Sequence, residues 1–82
     1  MEFTDHGRDY RTVRASGLRR DGMTLELIAM REDKTVAAVY YSDATGEFTI
    51  SVFEQELPLT VIERLTQAAR IALPPEMKVH GI

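Results

Sequence analysis

Catalysis by side chains alone needs a nucleophile beside a base, or two titrating groups whose pKa values have been driven apart. The chain offers few of either. Glu54 and Glu56 flank Gln55, so in an extended segment both carboxylates project to one side, as an acid–base pair would. Nothing apolar lies between them to separate their pKa values, and the expectation is a solvated, charged strand exit that discourages aggregation. The two histidines, His6 and His80, sit near opposite ends. With Asp5 or Glu76 they would hold a metal only if the termini met, and histidines so close to chain ends are ordinarily solvated. The chain contains no G-x-G-x-x-G, Walker loop, H-E-x-x-H or G-x-S-x-G. Cysteine is absent, which excludes a disulfide scaffold and a closed zinc site built on thiolates. The expectation is therefore a non-enzyme without cofactor or metal.

Two constellations suit binding instead. Arg8, Tyr10, Thr12 and Arg14 alternate, so one strand would carry a basic stripe with an aromatic inside it, a combination found on nucleic-acid-binding sheets. The surrounding segment concentrates Arg8, Arg11, Arg14, Arg19 and Arg20 against Asp9 alone. The whole chain, however, has 10 basic and 13 acidic residues and a net charge of −3, which argues against a dedicated nucleic-acid binder. The expected arrangement is an exposed strand face whose arginines lie over neighbouring side chains or pair with Glu26 across a hairpin.

The second constellation is apolar. Ile28, Met30 and Phe53, with either Val39 and Tyr41 or Ala38 and Tyr40, fall on the sheet face turned away from the helix, a patch that would mark an interface. If one run changed register at a bulge, those residues would enter the core instead. A groove lined by Tyr41, Met30 and Phe53, with Glu26 as the nearest polar group, would take a small ligand only where two copies closed it.

The elements that must position these residues follow from periodicity. Strands are expected near 10–18, 23–31, 35–42 and 47–54. Asp21-Gly22 is a hairpin signal, and Gly17 marks a candidate bulge. Met23, Leu25, Leu27 and Ala29 share one face, and Phe48, Ile50 and Val52 share the core face of the last strand. The run Thr35–Ser42 is apolar on both faces, as a central strand would be. Gly46 suits the left-handed position of the loop that follows.

Beyond Glu56 the period changes from two to 3.6, predicting a helix near 58–73. It would begin at Pro58 or at the capping pattern Thr60-Val61-Ile62-Glu63, and end at Pro74-Pro75. Its apolar residues, among them the outlying Ile71, spread over about 200°, wider than packing on one sheet requires. Residues 76–82 read as an extended tail in which Met77–His80 alternates. The fold expected is α+β: a four-stranded antiparallel meander followed by one C-terminal helix packed on one face, two layers, as a single domain over 1–82.

At 82 residues, with 44% hydrophobic and 28% charged residues, the chain is sized for one small core, which without a disulfide or metal is reinforced most simply by a second copy. The sequence thus points to a small acidic interaction module, homodimeric and binding another, unidentified protein. Its candidate contact residues are Ile28, Met30, Tyr41, Phe53, Arg8, Arg14 and Ile71. Nucleic-acid binding through Arg8–Arg20 and a ligand groove between two copies are the alternatives. No window approaches a membrane span and the start lacks an apolar leader core, so cytoplasmic residence is expected.

Overall fold

The computed structural model describes residues 1–16 and 22–73. They form one antiparallel sheet of five strands in chain order, β1 (Glu2–Asp5), β2 (Arg8–Ser16), β3 (Gly22–Ala29), β4 (Lys34–Ser42) and β5 (Phe48–Val52), followed by helix α1 (Leu59–Ala72). The α+β class and the meander agree with the sequence pattern. The strand count does not, because β1 precedes the four expected strands.

That strand was hidden by its composition. Phe3 is its one apolar residue, and its partner residues pair Glu2 with Arg11, Phe3 with Tyr10 and Asp5 with Arg8. The link is a two-residue turn, His6 at φ 49 and Gly7 at φ 78. Both positive angles match the right-handed twist of a tight hairpin, and histidine is a less familiar occupant of that region than asparagine or glycine. The Asp21 half of the expected Asp21-Gly22 turn, the Gly17 bulge and the 76–82 tail lie outside the described residues. Gly22 itself belongs to β3, opposite Ser42.

β4 reads as apolar on both faces for a reason visible in its pairing. Leu27 pairs with Ala37 but Ile28 pairs with Thr35, so Val36 is an extra residue opposite the Leu27/Ile28 junction. Such a bulge breaks the alternation, and Val36 and Ala37 are both fully buried.

α1 lies on one face of the sheet, over β3 and β4. Its inward stripe is Val61, Leu65 and Ala69, one residue per turn, continued by Leu73 just past the end. These meet Leu25, Leu27, Ala29, Val36, Ala37 and Val39 of the sheet, with Phe3, Tyr10 and Leu57 closing the core. The helix starts at the earlier of the two expected positions, with Pro58 as the N-cap and Leu59 the first helical residue; the Pro58 carbonyl accepts from the N–H groups of Val61 and Ile62. Thr60 does not cap, because its hydroxyl is committed to Asp5 at 3.1 Å, tying the helix start to the end of β1. None of the helices is long and apolar enough to cross a membrane, among the described residues.

Candidate functional site

The residues singled out for binding divide between the two faces. On the open face, away from α1, the register sets Val13, Glu26, Ala38 and Ser51 in one row and Ala15, Thr24, Tyr40 and Thr49 in the next. Ile28 lies between Arg11 and Thr35. The expected apolar patch is thus broken up by small and polar residues, and of its two tyrosines it is Tyr40 that lies here. Tyr41 is on the helix side, tilted against Phe48 with ring centroids 5.0 Å apart. The sheet itself separates Tyr41 from Ile28, so the ligand groove of Tyr41, Met30, Phe53 and Glu26 does not form within the chain.

The basic stripe is placed on the covered face. Tyr10 is 1% exposed and stacks on Phe3 at 5.3 Å, so it presents no ring to a nucleobase. Arg64 lies over Phe3 at 4.9 Å and Arg8 over Tyr10 at 5.4 Å, making a column of cation, ring, ring and cation along one side of the core. Arg14 donates from Nη1 to the Ala72 carbonyl at 3.1 Å, satisfying a group that the helix end leaves open. Neither arginine pairs with Glu26, which faces the other way, opposite Val13. Arg8 lies over a neighbouring side chain, as expected, and the hydrogen-bond partners of Arg8 and Arg14 are the strand exit and the helix end.

At that exit Arg8 holds Glu54 by two bonds, Nη1 to Oε2 at 2.6 Å and Nη2 to Oε1 at 3.0 Å, across 46 residues of chain. Glu32 and Lys34 approach the same pair at 3.6 and 4.0 Å. The guanidinium hydrogen bonds hold the Glu54 carboxyl below its ordinary range, and the Glu54 carboxylate raises Arg8 further above its own. With both oxygens engaged, Glu54 is a clasp and is not set up to exchange protons with Glu56, which is exposed. At the opposite hairpin, Asp5 is held below its usual value, chiefly by hydrogen bonding to His6 and also to Thr60. His6 is largely exposed. No group of three or more metal-binding side chains occurs among the described residues, and His80 lies outside them.

The remaining surface feature is β5. Ser42 N–H bonds to the Glu47 carbonyl and Phe53 N–H to the Val36 carbonyl. By the alternation of an antiparallel ladder, Glu47, Thr49, Ser51 and Phe53 therefore turn their backbone groups towards β4. Phe48, Ile50 and Val52 turn theirs outward, and no described residue bonds to them. The side chains of these three lie on the helix side, as expected, but Ile50 and Val52 are 42% and 45% exposed and not core. A groove of about 160 Å³ runs beside them, bounded by Val39 and Phe48 and, from α1, Thr66, Ala69 and Arg70, whose guanidinium lies 5.4 Å over Phe48. Phe53, one residue past β5, is 61% exposed.

Sequence reasoning placed Ile50 and Val52 on the correct face but missed their exposure. The signal was geometric. A helix is about 10 Å wide and strands are about 4.8 Å apart, so one helix roofs about two strands and leaves the sheet margins bare. Of the other surplus residues, Ile71 is 84% exposed on α1, and Met30 is exposed in the turn after β3.

Compared with known proteins, the chain matched no family model, no curated protein and no solved structure.

Proposed function

We propose that the protein is a non-catalytic interaction module that binds another polypeptide by strand pairing at the outer edge of β5, to which no other described residue bonds. The observation that carries this reading is the contrast between the two margins of the sheet. β1 is four residues long and carries Glu2 and Asp5, the short, charged kind of edge that repels an added strand. β5 is FTISV, with no charge, no proline and no bulge in its pairing with β4, and its outward backbone groups adjoin exposed Ile50 and Val52. Main-chain bonds of this kind give affinity, and alternate side chains beside a groove give selectivity. Strand pairing is favoured over the nucleic-acid alternative because Tyr10 is buried and Arg8 and Arg14 are engaged within the chain, while Arg19 and Arg20 lie outside the described residues.

The test is a displayed library of extended, alternating heptapeptides selected on the protein at sub-micromolar concentration. Binders are expected, and Ile50→Pro is expected to abolish their binding while leaving the circular-dichroism spectrum unchanged. Proline there removes an outward N–H and no bond to β4. Binders indifferent to Ile50→Pro would refute the reading.

A further inference from the structure

We infer that the strand which pairs with β5 is β5 of a second copy, antiparallel and in the register that sets Ile50 opposite Ile50. This rests on the strand-pairing reading above and names its partner.

The argument is one of self-complementarity. β5 has five residues centred on Ile50, and its outward backbone groups belong to Phe48, Ile50 and Val52, symmetrically about that centre. A two-fold axis through Ile50 pairs Ile50 with Ile50, and Phe48 with Val52 in both directions. Every outward N–H and C=O of the strand then has a partner, with none left over.

The side chains agree with the backbone. On the helix side the pairs are Ile50 with Ile50 and Phe48 with Val52, β-branched and aromatic with β-branched. On the open side Thr49 meets Ser51, hydroxyl against hydroxyl. These are the pair types that stabilise antiparallel neighbours. Charge agrees as well. Glu47 falls opposite Phe53, and Glu54 is already neutralised by Arg8 within its own chain, so no like charges face each other across the axis. A one-residue slip would set outward backbone groups opposite inward ones and lose the ladder.

A five-residue edge is about 17 Å long. A contact so short belongs with small, transient interfaces, so the dimer is a reversible one.

The chain has no cysteine, so one introduced thiol reports one contact. In this register the Cα atoms of residue 50 are about 5.5 Å apart, within disulfide range, while those of residue 52 are about 14–15 Å apart. Ile50→Cys is expected to cross-link to a covalent dimer under mild oxidation, and Val52→Cys is not. Light scattering from micromolar to near-millimolar concentration is expected to show a dimer, with Ile50→Lys raising its Kd at least about tenfold by setting two ammonium groups against each other. Ile71→Lys, on the exposed side of α1, is expected to leave it unchanged, and circular dichroism checks that each variant is folded.

A mass that stays monomeric throughout, or a dimer that survives Ile50→Lys, overturns the inference, as does preferential cross-linking through Val52→Cys. The two readings part here: a monomer that still selects Ile50→Pro-sensitive peptides refutes the second copy and leaves strand pairing standing. A monomer that selects none refutes both.

Discussion

Replacing Arg8 by methionine and Glu54 by glutamine, singly and together, isolates the clasp that fixes the exit of β5. The two bonds are 2.6 and 3.0 Å long, between side chains 28% and 23% exposed. Fully exposed ion pairs contribute up to about 1 kcal/mol, whereas shielded hydrogen bonds to charged groups contribute about 1.5–3 kcal/mol. A bidentate pair at this intermediate exposure should show a coupling energy of about 1–2 kcal/mol at neutral pH.

The single variants should be unequal. Arg8→Met removes a guanidinium whose buried Nε has no hydrogen-bond partner among the described residues and leaves Glu54 near Lys34, so it costs less. Glu54→Gln leaves the half-buried guanidinium without its principal counter-charge and costs more. Arg8→Met also gives up the contact with the Tyr10 ring, which the double-mutant cycle cancels.

Acid should abolish the coupling. Glu54 has a folded-state pKa held below its ordinary value of 4.5, so the unfolded chain takes up that proton first as pH falls. The stabilisation is complete above the ordinary value and disappears as pH drops through the lowered one. Urea titrations of the four proteins at about pH 7 and at a series of pH values falling from the ordinary carboxylate range until the coupling is lost measure both effects. A coupling under about 0.3 kcal/mol at neutral pH, or one that acid leaves unchanged, would show that the bonds do not carry the energy assigned to them.

Two further substitutions test the core. Leu65→Ala empties the centre of the α1 stripe and should cost about 2–4 kcal/mol, most of the roughly 3–5 kcal/mol that so small a core supplies. Thermal melts should find it largely unfolded near physiological temperature, with Leu65→Met close to wild type. Gly22→Ala would press a methyl group into the Tyr41 carbonyl and the Tyr40 ring, and urea titration should register a loss of about 1–3 kcal/mol.

What the sequence made legible was whatever depends on local period. The β2, β3, β4 and β5 strands, the change to a helical repeat after Glu56, and the shared face of Met23, Leu25, Leu27 and Ala29 follow from alternation that a single strand or helix imposes on itself. What it concealed depends on neighbours. β1 holds one apolar residue, and only its pairing with β2 makes Phe3 and Tyr10 a stack. Tyr40 and Tyr41 could not be assigned to faces because the Val36 bulge, a property of two strands together, resets the parity along β4. Arg8 and Arg14 looked like an exposed binding stripe because their partners, Glu54 and the Ala72 carbonyl, lie 46 and 58 residues away along the chain. Alternation puts Ile50 and Val52 on the core face of β5, but the width of one helix leaves that margin of the sheet uncovered, and both are exposed.

The unequal margins of the sheet also limit how large an assembly can become. Pairing of β5 with β5 is isologous: each copy uses its one hospitable edge, and the outer boundaries of the joined sheet are then both β1. Those boundaries are four residues long and carry the exposed Glu2, with Asp5 turned to the helix start, so the product offers a poor template for a third chain. A filament would require β1 to accept β5 head to tail, which the short acidic strand opposes. Removing that guard, rather than strengthening β5, is the change that would convert a closed pair into an open-ended fibre.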